Sequence, residues 1–153
     1  MAAAFAVVTV FAGLPATAAR AGGEHGPYQV DQYAVPAVKS GVSTWVKTWW
    51  TSLSDICDVR VTISGPDVTV VYPESTRTYT TLRRTTDLAH DDTDYTAFNV
   101  TVTSSATRWI DLRTEVEYTK MPDDSLRPGG TRNVACAGKR SQRESITRLL
   151  VLE

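Results

Sequence analysis

Three groups of side chains in this sequence could do chemistry: two imidazoles, a run of carboxylates and a set of indoles. His25 and His90 are its two histidines. They are the imidazole bases on offer to an acyl-transfer reaction, which also needs a nucleophile and an orienting carboxylate. His25 lies in a Gly-containing lead and His90 in the charged stretch DLAHDDTD, and no G-x-S-x-G turn occurs to present a serine. His90 therefore reads as a solvated loop residue and the chain as no enzyme. The aspartates Asp87, Asp91, Asp92 and Asp94 stand close enough for their hard oxygens to converge on calcium. They lack the D-x-D-x-D-G order and the glutamate at the twelfth position of a calcium loop, so a solubilising loop is the first reading. No metal or other cofactor is expected.

The indoles are the set from which a binding site could be built. In an extended segment Trp45 and Trp49 share a face, about 13 Å apart at four strand steps, with Lys47 between them. Flat apolar rings at that spacing could stack on sugars. Aromatic side chains in a small β protein more often fill the core, and that is the expectation for Trp45, Trp49, Trp50 and Trp109 as a set. Trp109 shares its strand phase with Asp111 and Arg113, so it is the indole most expected to face water. The ligand-binding candidates are thus Trp45, Trp49 and Trp109. Asn99-Val100-Thr101 also matches a glycosylation sequon.

These side chains need a scaffold, and the pattern of the chain is that of strands. With 153 residues, 42% of them hydrophobic and 22% charged, the chain is long enough for one core. Cys57, Val59, Val61 and Ile63 alternate with Asp58, Arg60 and Thr62, which predicts a half-buried strand. The preceding TWVKTWW alternates less decisively. Together with a turn at Thr51 to Asp55 the two stretches predict a β-hairpin. Phe98, Val100 and Val102 point one way in a strand over Tyr95 to Thr103. Ile110, Leu112, Val116 and Tyr118 do the same over Trp109 to Thr119. Gly65-Pro66-Asp67 marks a turn before Val68 to Tyr72, and the Thr-rich Thr76 to Thr86 fits an edge. At the C-terminus Ser141 and Glu144 could form a helix capping box, but a closing strand over Ile146 to Leu152 agrees better with its neighbours. The expected fold is all-β, a single immunoglobulin-like antiparallel β-sandwich of seven to eight strands.

Residues 1–21 form an apolar segment ending in Pro15 and small residues, as a signal peptide does, although without an early Lys or Arg. Either it is removed or it stays as an uncleaved apolar segment. Residues 22–34 read as a flexible lead with an edge strand, and residues 35–153 as the sandwich. In an exported chain the two cysteines, Cys57 and Cys136, read as one disulfide. A net charge of −1 and a basic cluster of only Lys139, Arg140 and Arg143 exclude nucleic acid as the obvious partner. No long apolar run follows the leader, so no stable membrane anchor is expected in the mature chain.

The order of VKSGVSTWVKTWW, CDVRVTISGP, LAHDDTDYTAFNVTV and IDLRTEVEYT resembles bacterial extracellular immunoglobulin-like domains of the CARDB type, over roughly residues 35 to 119. It departs from antibody-type domains: the clustered tryptophans precede Cys57, and Val134 stands where a tyrosine two before the second cysteine would be. The resemblance implies an adhesive, spacer or binding module. The expectation is a secreted, non-catalytic β-sandwich with a structural or binding role at the cell envelope. Its partner would be an extracellular protein or a glycan, the latter through exposed tryptophans.

Overall fold

The computed structural model describes residues 26–30, 37–103, 107–122, 124–127, 129 and 131–153. The expected leader over residues 1–21, His25 and much of the 22–34 lead fall outside them. All regular structure among the described residues is β, in the order β1 (Pro27–Gln29), β2 (Val38–Lys39), β3 (Thr44–Ser52), β4 (Ile56–Ser64), β5 (Val68–Val71), β6 (Thr93–Val102), β7 (Arg108–Lys120), β8 (Leu126–Arg127), β9 (Thr131–Arg132) and β10 (Arg140–Leu152). One four-stranded sheet, sheet A, runs β1-β3-β6-β5. A second, sheet B, runs β2-β10-β7-β4, and β8 and β9 pair as a small ribbon.

Alternation builds the core. Phe98, Val100 and Val102 of β6, Val46 and Trp50 of β3, Val59, Val61 and Ile63 of β4, Ile110, Leu112 and Val116 of β7, and Leu149 and Val151 of β10 form one buried apolar cluster drawn from both sheets. Burial of each such aliphatic or aromatic side chain stabilises the fold by about 1.5–3 kcal/mol. Four inward positions are threonines, one each in β3, β6, β7 and β10, and in β3 the inward Thr48 between outward tryptophans explains why that strand alternates poorly in sequence. Thr48 and Thr96 share a hydrogen bond of 2.7 Å, and the Trp50 Nε1–H donates to both hydroxyls at 3.2 and 3.1 Å. Thr114 and Thr147 pair at 3.0 Å, and the Thr147 hydroxyl donates to Gln29 Oε1 at 2.9 Å. Satisfied within the core, these hydroxyls are tolerated where an aliphatic residue would be expected.

The structure departs from the sequence-based expectation at several points. Among the described residues ten strands form instead of seven or eight, because two-residue pairings at β2, β8 and β9 are too short to leave a periodic signal. The sheets are not wholly antiparallel: β2 pairs with β10 in parallel, Val38 opposite Val151. The 140–152 segment is a strand, as favoured, and begins at Arg140, earlier than expected. The largest correction concerns β3 and β4, which are not a hairpin. β3 pairs with β6 in one sheet and β4 with β7 in the other, so their apolar faces meet across the core. Alternation specifies a dry face but not whether two consecutive strands join at their edges or face each other.

Asp58 adds a second correction. Its φ of 52° lies in the left-handed region, and the register with β7 shifts between Cys57 and Arg60. One extra residue reverses the phase of everything before it. Cys57 is thereby opposite Thr119 and leaves the core face of Val59, Val61 and Ile63, joining Ala89, Met121 and Leu126 in a separate small cluster. There it is bonded to Cys136, with a Cα–Cα distance of 6.0 Å. The expected disulfide exists, but it ties the excursion between β7 and β10 to β4 rather than clamping one sheet to the other. Its loop of 79 residues corresponds to at most about 4.5 kcal/mol of unfolded-chain entropy.

Candidate functional site

The outward positions of β3 carry Trp45, Lys47 and Trp49, and the register with β6 sets Asn99, Ala97 and Tyr95 opposite them. Val71 of β5 lies opposite Asn99, extending the Trp45 row across three strands. Val30, whose N–H donates to Trp49 O at 2.9 Å, extends the Trp49 row past β1. Trp45 and Trp49 are 56% and 40% exposed, and Val71 and Val30 are exposed as well. The expectation that the tryptophans fill the core therefore holds for Trp50 alone, which is 1% exposed. Inward space in β3 is already taken by Val46, Thr48 and Trp50, and residues of the other phase have only solvent to face.

Neighbouring rings order this surface. Trp49 and Tyr95 have centroids 5.0 Å apart at an interplanar angle of 52°, a tilted contact that holds both rings in place. The smallest side chain of the face, Ala97, lies opposite Lys47, leaving the ammonium room to lean over the diagonal Tyr95 ring at 4.7 Å. Such an exposed cation–π contact contributes about 0.5–1 kcal/mol and does not cancel the charge of the ammonium. Beside Trp45, Asn99 accepts a hydrogen bond of 2.6 Å from the Ser43 hydroxyl. The sequon asparagine thus sits within the face. Tyr95 was not singled out from sequence, although its phase, opposite to Phe98 and Val100, carries the signal.

Trp109 does not join this group. It is 60% exposed on the outer face of the other sheet, opposite Leu150. The charges beside it are paired. Arg148 grips Asp111 with Nε–Oδ1 2.7 Å and Nη2–Oδ2 3.1 Å, Arg140 reaches Glu117 at 2.7 Å, and Arg113 pairs with Glu144. The Arg148 hydrogen bonds hold the Asp111 carboxyl below its ordinary value, and Glu144 holds the Arg113 guanidinium above its own. A shallow depression of about 420 Å³ here is lined by Asp111, Arg113, Glu144, Ser145 and Ile146, with both carboxylates already neutralised by arginines.

Three aspartates of the 87–94 loop are likewise engaged, Asp87 by Arg132 and both Asp92 and Asp94 by Arg84. Asp87 is held by the Arg132 side chain, which also reaches Asp58 at 2.9 Å. The bond to Asp87, assisted by Asp58, raises the Arg132 pKa despite some burial. Asp92 takes the Gly129 N–H at 2.9 Å, the Thr93 N–H at 2.8 Å and Arg84 at 3.1 Å. Burial opposes its charge, but these three donors outweigh burial and lower its pKa. Asp94 accepts from the backbone of Arg84 and Tyr95. Asp91 faces solvent beside His90, 3.6 Å from its Nε2. Among the described residues no three His, Cys, Asp or Glu side chains are placed to hold a metal ion. Of the four calcium candidates, Asp87, Asp92 and Asp94 spend their oxygens on fastening loops, and Asp91 stands apart in solvent.

Sequence reasoning missed the hub beside this loop, Asp55. Buried at the corner between β3 and β4, it accepts the His90 N–H at Oδ1 (2.8 Å) and the Leu126 N–H at Oδ2 (2.7 Å), while its carbonyl accepts from Met121 N at 2.9 Å. Nothing local in S-L-S-D-I marks it, because its partners come from distant segments.

No family model and no curated protein matches the chain. Among solved structures, one described as "AvmM Catalyzes Macrocyclization in Alchivemycin A Biosynthesis" is similar over 82% of this chain and 88% of its own, at 12% identity and a TM-score of 0.41. That neighbour is an enzyme, and the sequence-based expectation that this chain is no enzyme is corrected on that finding. A likeness of this strength carries neither an active site nor an activity across.

Proposed function

We propose that the chain is an exported binding domain acting at the cell envelope, with the outer β3–β6 face as its ligand surface and a glycan as its ligand. The observation that carries this reading is the exposure of Trp45 and Trp49 on one strand face, beside Tyr95. Two large rings held open to water on a rigid strand are pre-organised, so stacking a sugar costs little side-chain entropy. The Cys57–Cys136 disulfide supports export, since such bonds persist in oxidising compartments. The apolar N-terminal segment and the resemblance to CARDB-type domains support it too. Two four-stranded sheets sharing one apolar core support an immunoglobulin-like sandwich as the finer description.

A glycan array tests the reading. The wild-type protein and Trp109→Ala, on the opposite sheet, are expected to retain one set of glycans. Trp45→Ala and Trp49→Ala should each weaken that binding about 30-fold, the roughly 2 kcal/mol of an aromatic anchor. Retention of no glycan by the wild type, or equal retention by all three variants, overturns the proposal.

A further inference from the structure

We infer that the glycan taken by this face is acidic, a uronate-type polysaccharide whose carboxylate meets Lys47 while its rings lie on Trp45 and Trp49. The inference rests on the glycan-binding reading and adds the class of sugar.

The charge balance of the face carries it. Every other outward position of β3, β5 and β6 is Thr, Val, Tyr, Ala, Asn or Trp, so Lys47 is the one charged side chain at these positions. No carboxylate of the face faces it, and among the described residues no acidic partner lies within ion-pair distance of it. Its visible contact is the Tyr95 ring, which fixes the ammonium over the face without neutralising it. The opposite sheet shows what this chain does with arginines on a face of closely spaced charge: Arg113, Arg140 and Arg148 are each given a carboxylate. Lys47 is thus a cation positioned midway between two stacking platforms and left to an outside anion. A neutral sugar would leave its charge unanswered. A carboxylate carried on a ring answers the charge and the apolar platforms in one ligand. Exposed ion pairs are weak singly, so the charge selects among glycans while the rings supply most of the affinity.

The test compares polygalacturonate, alginate and hyaluronan with neutral xylan, β-glucan and chitin, at 20 mM and 300 mM salt, using the wild-type protein and the variants Lys47→Gln, Lys47→Arg and Trp45→Ala. Expected are binding of at least one acidic polymer, weakening at the higher salt, a roughly three- to fivefold loss in Lys47→Gln and retention in Lys47→Arg. Trp45→Ala should weaken binding of the same polymer about 30-fold. Neutral polymers bound as well as acidic ones, with Lys47→Gln unchanged, overturn the inference and leave the glycan face standing. No polymer bound removes both. Capture by anionic lipid vesicles or an acidic peptide, with no acidic polymer bound, also overturns it. Lys47 is exposed, so Lys47→Gln should melt as the wild type does, and binding losses can be read directly.

Discussion

Outward positions 111, 113, 115 and 117 of β7 are Asp, Arg, Glu and Glu, and arginines and a glutamine of β7 and β10 reach those carboxylates. Outward positions 45, 47 and 49 of β3 are Trp, Lys and Trp, and the only ionic feature there is one ammonium over a tyrosine. Both faces belong to central strands of four-stranded sheets, and both have an apolar layer beneath them. The difference therefore does not come from the fold. A ladder of paired charges gains little energy but makes its surface poor at holding a partner, since each charge is already answered. Exposed indoles add little to the folded state and leave apolar area to be buried by something else. The contrast between a self-satisfied face and an unsatisfied one separates surface from site in this molecule.

The sharpest way to test that contrast lies within β3 itself. Trp50→Ala, which opens a cavity in the core and removes the N–H that both the Thr48 and Thr96 hydroxyls accept, should destabilise the protein by about 3–5 kcal/mol in urea unfolding. Trp49→Ala, one position away, should change stability by only about 0.5 kcal/mol. Equal losses from the two would show that the outer indoles are structural, and the comparison of faces would collapse. A smaller effect is expected from acid. Asp92 and Asp111 have lowered pKa values in the folded chain, so the stability they contribute is present above their ordinary value of 3.8 and is lost as pH falls through the lower folded values. Thermal melts should be flat from pH 7 to about 5 and decline below about 4. A melting temperature that drops between pH 7 and 6 would contradict this. The smallest effect belongs to the ladder: Arg148→Ala should lower the melting temperature slightly in low salt, with the difference gone in high salt. A large, salt-independent loss would mean that the charged face does more than satisfy itself.

Much of this was legible in the sequence. The alternations at Phe98, Val100 and Val102, and at Ile110, Leu112 and Val116, predicted buried strand faces because period two follows from backbone geometry alone. The shared phase of Trp45, Lys47 and Trp49 was equally plain. That the two rings face solvent was not, since phase says which residues go together and only the opposite sheet says which way they go. The disulfide followed from there being two cysteines. Its place in the fold did not, because the bulge at Asp58 depends on a left-handed backbone at a residue other than glycine. Tyr95 and Asp55 escaped notice for related reasons: one acts through a neighbour 46 residues earlier, the other through backbone donors 35 and 71 residues further on.

Asp55 carries a consequence for how the molecule comes apart. One carboxylate fastens the stretch holding His90 and the start of the β8–β9 ribbon, and its own backbone holds Met121 at the end of β7. Segments that share one buried carboxylate should open together, as one cooperative unit. Their amide hydrogens should exchange at a common rate, and Asp55→Ala should speed that exchange at Leu126 and His90 alike while the β6–β7 interior keeps its protection.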